Sequence, residues 1–253
     1  MSYRVWAALL ICFSAFAGDK ANYNIHLWEP GKVPLAQGDG PLDNPFVTVF
    51  LPPENKRNGA AMIVAPGGSN IMLMYGVEGM QIAEKLNDWG IAAFVLTYRL
   101  SPKYNEAARV ADGKRAIELV RSRASEWKVD PARIGYIGFS AGSNLGRSVA
   151  AAAPPGDPGR PDYLVLVYGA GRATQGEVLK TFPPTFLIAA ADDRGASLPS
   201  AQLFQDLTRA GAVAEIHIYQ KGHHGFGAGY GAPEFSDWMG RLEHFLKIGK
   251  VIP

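Results

Sequence analysis

The chain has 253 residues, is 47% hydrophobic and carries a formal net charge of +2 at pH 7 with its histidines neutral, which suffices to bury one large core at a length that single α/β domains reach routinely. A charge so close to zero removes the electrostatic argument for nucleic acid as a partner. The sequence has neither a Gly-x-x-x-x-Gly-Lys-Ser/Thr phosphate loop nor a His-Glu-x-x-His zinc motif, and no cofactor or metal is assigned to it.

The first segment is a targeting signal by its pattern. Arg4 supplies a short positive region, Val5 to Phe16 is an apolar stretch too short to span a bilayer, and Ala15-Phe16-Ala17 offers the small-x-small cleavage site. Residues 1–17 are therefore expected to be removed, leaving a single domain over 18–253. The expected location is secreted or periplasmic, without stable membrane insertion. Cys12, the only cysteine, lies inside this segment and follows Ile11, which is not the small residue that a lipoprotein signal requires. A cysteine-free mature chain suits an oxidising compartment without any disulfide.

Strand-like runs and helical patterns then alternate. Phe46 to Leu51 is the first strand, and Met62 to Ala65 the second. The second runs directly into Pro66-Gly67-Gly68-Ser69-Asn70. A helical pattern over 79–89 leads to the strand Ala92 to Tyr98, and a second over 107–127 leads to Arg133 to Ile137. Behind that strand stands Gly138-Phe139-Ser140-Ala141-Gly142, followed by a small-residue helix over 144–153 and a Pro-Gly-rich surface loop over 154–161. The strand Tyr163 to Val167 is separated from Thr185 to Ala189 by a connection with room for a loop but not for a helical lid. Thr185 to Ala189 ends in Asp192-Asp193, ahead of a helix over 200–210. The last strand, Ala214 to Tyr219, opens into Lys221-Gly222-His223-His224-Gly225-Phe226, and an amphipathic helix over 235–246 closes the chain. This alternation predicts an α/β fold: a doubly wound, mostly parallel sheet with helices on both faces and no sizeable cap domain.

The chemistry sits at the strand ends, where open parallel sheets place their ligands. Gly-x-Ser-x-Gly between a strand and a helix is the pattern of a turn so tight that its serine is strained and its hydroxyl exposed. Ser140 is the candidate nucleophile. A serine hydroxyl needs a base, and the base needs an acid to orient it. After an elbow serine the chain order is acid, then histidine. Asp193 is favoured as the acid with Asp192 as the alternative, since adjacent side chains point in different directions. His224 is favoured as the base, with His223 as a neighbour that packs or caps the loop. His26 and His217 read as structural, and His244 as a solvated helix residue. Donors for a developing oxyanion are expected from the backbone amides of Gly68 or Ser69 and of Ala141.

The chain resembles the α/β-hydrolase superfamily, and within it the secreted carbohydrate esterases of the acetylxylan esterase and xylanase-associated type. The resemblance is carried by Leu27-Trp28-Glu29-Pro30-Gly31, Pro66-Gly67-Gly68, Glu78-Gly79, Tyr98-Arg99-Leu100 and Asp112-Gly113-Lys114-Arg115-Ala116. It continues through Asp130-Pro131-Ala132-Arg133-Ile134-Gly135, Phe139-Ser140-Ala141-Gly142, Arg160-Pro161-Asp162-Tyr163, Asp192-Asp193 and His224-Gly225-Phe226-Gly227. It implies a serine esterase acting on short acyl groups, acetyl foremost, of a small-molecule or polysaccharide ester. Feruloyl esterases, with an aromatic acyl group lying near Tyr75 or Tyr168, and peptidases of the prolyl-oligopeptidase type are the neighbouring branches. The peptidase branch carries a propeller ahead of its catalytic domain, which this chain does not show.

Three departures mark a divergent member. Ser69 and Asn70 stand where the family usually has a third glycine and an aromatic residue. Gly195-Ala196-Ser197-Leu198-Pro199 replaces a small-Val-Pro segment after the acid, and Ser143-Asn144 replaces Gly-His after the elbow.

Overall fold

The computed structural model describes residues 22–171, 176–229 and 237–253. The segment read as a signal, 1–17, lies outside the described residues. Eight strands form one sheet: β1 (Tyr23–His26), β2 (Phe46–Phe50), β3 (Ala61–Ala65), β4 (Ala92–Thr97), β5 (Ile134–Phe139), β6 (Leu164–Val167), β7 (Thr185–Ala190) and β8 (Ala214–Tyr219). Their order is β1-β2-β4-β3-β5-β6-β7-β8. The pairings β1–β2 and β2–β4 are antiparallel, and those from β4 through β3 and onward to β8 are parallel. This is the doubly wound, mostly parallel sheet that the alternating pattern predicts.

Helices α1 (Gln81–Asp88), α2 (Glu106–Ser122), α3 (Ala141–Ala152), α4 (Arg194–Ala210) and α5 (Trp238–Ile248) cover both faces. Alternate residues of each central strand serve the two faces. Ile63, Phe94 and Leu166 pack with Ile117 and Val120 of α2, Leu145 and Val149 of α3, and Leu203 and Leu207 of α4. Met62, Val64 and Val95 pack with Ile82 and Leu86 of α1 and with Trp238 and Leu242 of α5. Burial on both sides is why these strands read as continuous apolar runs rather than alternating ones. No described helix is long and apolar enough to cross a membrane.

Several boundaries differ from expectation for identifiable reasons. β1 was not anticipated: it is a four-residue edge strand whose residues are mostly exposed, so it carries no apolar pattern. The helix expected over 107–127 stops at Ser122, and a 3-10 turn, Ala124–Trp127, finishes the span. α4 starts at Arg194 rather than near Ser200, because Pro199 is accommodated inside the helix. That early start places Asp193 at the helix N-cap position, immediately past β7. The start expected for the last helix, Phe235, lies outside the described residues, and α5 begins at Trp238. Among its described residues the β6–β7 connection carries one 3-10 turn, Glu177–Thr181, and no lid.

A buried ion pair holds α2 against the end of β4. Arg99 and Asp112 are both fully buried, and the guanidinium meets the carboxylate through Nε at 2.9 Å and Nη2 at 2.7 Å. Nη1 and Nη2 also donate to the Pro34 and Ala108 carbonyls, so each nitrogen of this guanidinium has an acceptor. Burial, opposed by Arg99, pushes the Asp112 carboxyl above its ordinary value. These two residues belong to the stretches Tyr98-Arg99-Leu100 and Asp112-Gly113, whose role was not visible in the sequence.

Candidate active site

β5 delivers Ser140 into a turn that only small neighbours permit. A methyl group on Gly138 would meet the Gly142 carbonyl at 2.2 Å, and one on Gly142 would meet the Ala65 carbonyl at 2.1 Å. Two close backbone approaches therefore account for both glycines of the motif. Ser140 itself has φ 50° and ψ −113°, outside the regions that L-residues favour, and its amide is held by the Val167 carbonyl at 3.0 Å. The turn ends directly in α3, whose first residue is Ala141.

The other two favoured residues converge on this hydroxyl. Ser140 Oγ lies 2.7 Å from His224 Nε2, and His224 Nδ1 lies 2.6 Å from Asp193 Oδ2. A carboxylate at Nδ1 assigns the proton to that nitrogen and leaves Nε2 as the acceptor for the serine hydroxyl. Asp192 points elsewhere: it accepts the His223 amide at 3.0 Å and the Gly222 amide at 3.4 Å, and its carboxylate lies 3.2 Å from His223 Nδ1. Burial raises the Asp192 carboxyl, but the two amides and the nearby imidazole outweigh it and leave the group below its usual value. His223 is strongly exposed and has φ 53°. Asp192 thus ties down the loop whose next residue, His224, reaches the serine.

The remaining histidines lie away from this cluster. His26 packs edge-on against Phe46 in β1, His217 meets Glu215 Oε1 at 2.7 Å within β8, and His244 is exposed on α5.

The loop after β3 provides amides without intramolecular acceptors. Gly67 donates its N–H to Glu78 Oε2 at 2.7 Å, whereas the amides of Gly68, Ser69 and Ala141 have no hydrogen-bond acceptor among the described residues. Gly68, Ser69 and Asn70 all have positive φ, at 126°, 56° and 60°. An aspartate- or asparagine-like side chain tolerates that region better than most, which suits Asn70. A methyl on Gly67 would meet Ser140 Cβ at 2.8 Å, so the loop is packed directly against Ser140. Ala141 opens α3, where orphan amides and the positive end of the helix dipole face the serine turn.

Glu78 and Tyr168, neither of them expected to organise the site, link these loops. Glu78, 3% exposed, accepts the Gly67 N–H and also the Tyr168 hydroxyl, the latter at 2.7 Å. Tyr168 in turn accepts the Gly227 N–H at 3.1 Å, from the loop that carries His224. Its ring stands 5.1 Å from the His224 imidazole and 4.6 Å from Phe226. Burial first, and then the Glu78 carboxylate, push the Tyr168 phenol well above its ordinary value, so it remains a neutral donor. Glu78→Ala would leave the Gly67 N–H and the Tyr168 O–H buried without an acceptor. At about 1–3 kcal/mol for each orphaned group, we expect a loss of about 3 kcal/mol in urea unfolding. An unchanged unfolding midpoint would show that water replaces the carboxylate at no cost.

Around Ser140 opens a cleft of about 700 Å³. Beyond Ser140, His224 and Asp193 its lining mixes the polar side chains of Asn70, Glu106, Arg109, Asn144 and Arg147 with small and apolar residues such as Ala141, Leu145 and Ala196. Of the departures noted in the sequence, Asn70 and Asn144 line this cleft, while Ser143 is buried and donates to the Gly169 carbonyl. Tyr75 does not contribute an aromatic wall, since its hydroxyl is bound to Thr48 Oγ1. Tyr168 lines the floor with a ring that is 1% exposed.

The described family model BD-FAE matches residues 47–154, a span that includes the loop after β3 and the Ser140 turn. An acetylxylan esterase of Xylanibacter ruminicola is 32% identical over 212 residues, covering 71% of this chain and 43% of that protein. Endo-1,4-beta-xylanase B of Butyrivibrio fibrisolvens is 24% identical, covering 88% of this chain and 40% of that protein. The chain thus spans less than half the length of these two relatives. Among solved structures, an acetyl ester-xyloside bifunctional hydrolase from Caldicellulosiruptor lactoaceticus superposes with a TM-score of 0.80 at 29% identity, covering 91% of this chain and 97% of that one.

Proposed function

From a chain that belongs to the α/β-hydrolase superfamily, we propose a serine carboxylic ester hydrolase that removes short acyl groups, acetyl foremost, from carbohydrate. The observation that carries this reading is the serine–imidazole–carboxylate line, with contacts of 2.7 and 2.6 Å, opening into a cleft. Similarity to an acetylxylan esterase and to an acetyl ester-xyloside hydrolase supports acetyl as the acyl group and carbohydrate as the alcohol. In this reading residues 18–253 form one catalytic domain, and the N-terminal signal directs it to a secreted or periplasmic location.

Ser140 Oγ attacks the ester carbonyl while His224 Nε2 takes its proton. The negative charge gathers on the carbonyl oxygen, where the amides of Ala141 and of Gly68 or Ser69 receive it. Collapse of the tetrahedral species expels the sugar alcohol, which takes the proton back from His224. Water, deprotonated by the same imidazole, then attacks the acetyl-serine; the Ser140 Oγ–acyl bond breaks, Oγ takes the proton back from His224, and acetic acid leaves to ionise in solvent. Asp193 holds the imidazole in the required tautomer and stabilises its charged form.

The acyl group is short by this reading because no element among the described residues shelters a longer one. The β6–β7 connection adds no lid among its described residues, and Ile71 and Met72 beside the loop after β3 are 62% and 54% exposed rather than folded over the cleft. A buried methylene contributes only about 0.8 kcal/mol, and an exposed one far less. Across 4-nitrophenyl esters we expect kcat/KM to be greatest from acetyl to butyryl and to fall clearly by octanoyl, alongside release of acetate from acetylated xylan. A maximum at octanoyl or beyond would rule out the short-acyl reading. The feruloyl alternative remains a test outcome: Tyr168 lines the cleft but is 1% exposed and Tyr75 is not among the lining residues, so a strong preference for feruloyl over acetyl esters would move the reading to that branch.

A further inference from the structure

The cleft contains more charge than the chemistry above uses. Two arginines line it with Ser140, and their surroundings differ. Arg147, on α3, is linked to Glu106 through Ser148, which receives Arg147 Nη2 at 3.2 Å and donates to Glu106 Oε1 at 2.8 Å; burial holds the Arg147 pKa below its ordinary value, partly offset by the Glu106 charge. Arg109, on α2, has no carboxylate within ion-pair reach among the described residues. Elsewhere in the fold Arg99, Arg121 and Arg133 rest on carboxylates at 2.7, 2.9 and 3.0 Å.

Arg109 is nevertheless held in place. Its Nη1 donates to Ser101 Oγ at 3.0 Å and to the Tyr104 carbonyl at 2.8 Å. The Ser101 amide in turn donates to the Asn70 carbonyl at 2.7 Å, which fixes this anchor beside the loop packed on Ser140. The other guanidinium donors, on Nε and Nη2, have no acceptor among the described residues. A half-buried cation kept in one orientation, with a pair of donors unspent, is preorganised for a planar two-oxygen anion. The acyl half of the ester is small and sits at the serine, so the anion belongs to the alcohol half.

We propose that Arg109 binds a carboxylate on the alcohol half of the substrate, so that the favoured substrates are acetyl esters of acidic sugars, with a uronic-acid carboxylate on the acetylated unit or the one joined to it. This deepens the carbohydrate-esterase reading and rests on it. A bound carboxylate supplies the counter-charge that Arg109 lacks among the described residues and leaves the reacting atoms untouched, so the preference is expected in KM rather than in kcat.

The test uses a matched pair, the acetylated methyl glucuronoside and the acetylated methyl glucoside, with 4-nitrophenyl acetate as a charge-free ester. For the unaltered enzyme at low ionic strength, kcat/KM for the glucuronoside is expected to exceed that for the glucoside by about tenfold, the scale of one charge-assisted contact. The ratio should shrink as salt is raised. In Arg109→Gln it should approach one, and in Arg109→Lys it should fall between, since an ammonium keeps the charge but not the fork. A ratio near one in the unaltered enzyme, or a ratio that Arg109→Gln leaves in place, overturns the proposal. Should Arg109→Gln fail to fold, the salt series and the lysine variant decide. Hydrolysis of 4-nitrophenyl acetate with a ratio of one removes the acidic-sugar proposal alone, whereas no hydrolysis of any ester removes the esterase reading with it.

Discussion

Ser140→Ala and His224→Ala are each expected to lower ester hydrolysis by about a thousandfold or more, and the double variant should be scarcely worse than either single one. The serine has no other base within reach in the geometry described: its hydroxyl meets His224 Nε2 at 2.7 Å. Without the imidazole the hydroxyl keeps its proton, and without the hydroxyl the imidazole has only water to activate. Residual rate would come from the oxyanion donors and from binding, which neither change removes. The fold should survive both substitutions. Alanine keeps the Cβ that the turn already accommodates, and the Ser140 amide bond to the Val167 carbonyl is unaffected. His224 is half exposed, so its loss opens no sealed cavity. Steady-state kinetics with 4-nitrophenyl acetate, alongside circular dichroism, separates chemistry from folding. Near-native turnover in Ser140→Ala would end the serine-hydrolase reading.

The sequence made the sheet legible because its central strands are buried on both faces. β3 to β7 appear as short apolar runs bounded by glycine, proline and aspartate, and their alternation with helical patterns admits few topologies. β1 was hidden for the opposite reason, being short, at the edge and exposed. The start of α4 was hidden by Pro199, which sequence reasoning takes as a boundary and the helix takes as an interior residue. At the candidate site, Ser140, the Asp192-Asp193 pair and the His223-His224 pair were legible as candidates because each follows a strand within a recognisable turn. The choice between Asp192 and Asp193 was not, because it depends on which of two adjacent side chains the turn aims inward.

Glu78 and Tyr168 illustrate a different limit. They are 90 positions apart in the chain and meet through a buried hydrogen bond of 2.7 Å. Glu78 lies in a π-helical turn just before α1, where a charged residue reads as solvated surface. Tyr168 follows β6 with φ 38°, a backbone state that no local pattern announces for a tyrosine. Only the sheet order, which sets β6 next to β5 and β5 next to β3, brings the loops they occupy together. Arg109 was likewise one of several basic residues on α2 until its place in the cleft, with no ion-pair partner among the described residues, was visible.

The adjacent aspartates give the sharpest remaining contrast. Asp193→Asn is expected to lower kcat by about three to four orders of magnitude with little change in KM, whereas Asp192→Asn should cost less than about tenfold. The two carboxylates face different partners, so the same substitution has different consequences. Asp193 Oδ2 takes the proton-bearing side of His224 at 2.6 Å. An asparagine amide presented there donates instead, which drives the ring proton to Nε2 and deprives the Ser140 hydroxyl of its acceptor. Asp192 accepts two backbone amides, those of Gly222 and His223. The carbonyl oxygen of an asparagine can accept the same amides, so the loop carrying His224 keeps its anchor and loses only the charge toward exposed His223. The substrate never touches either side chain in the mechanism above, which is why both effects should appear in kcat. Measuring both variants on 4-nitrophenyl acetate, with unfolding midpoints to exclude loss of structure, settles the ranking. Equal losses, or a greater loss in Asp192→Asn, would move the orienting role to Asp192 and require the His224 loop to turn by one residue during the reaction.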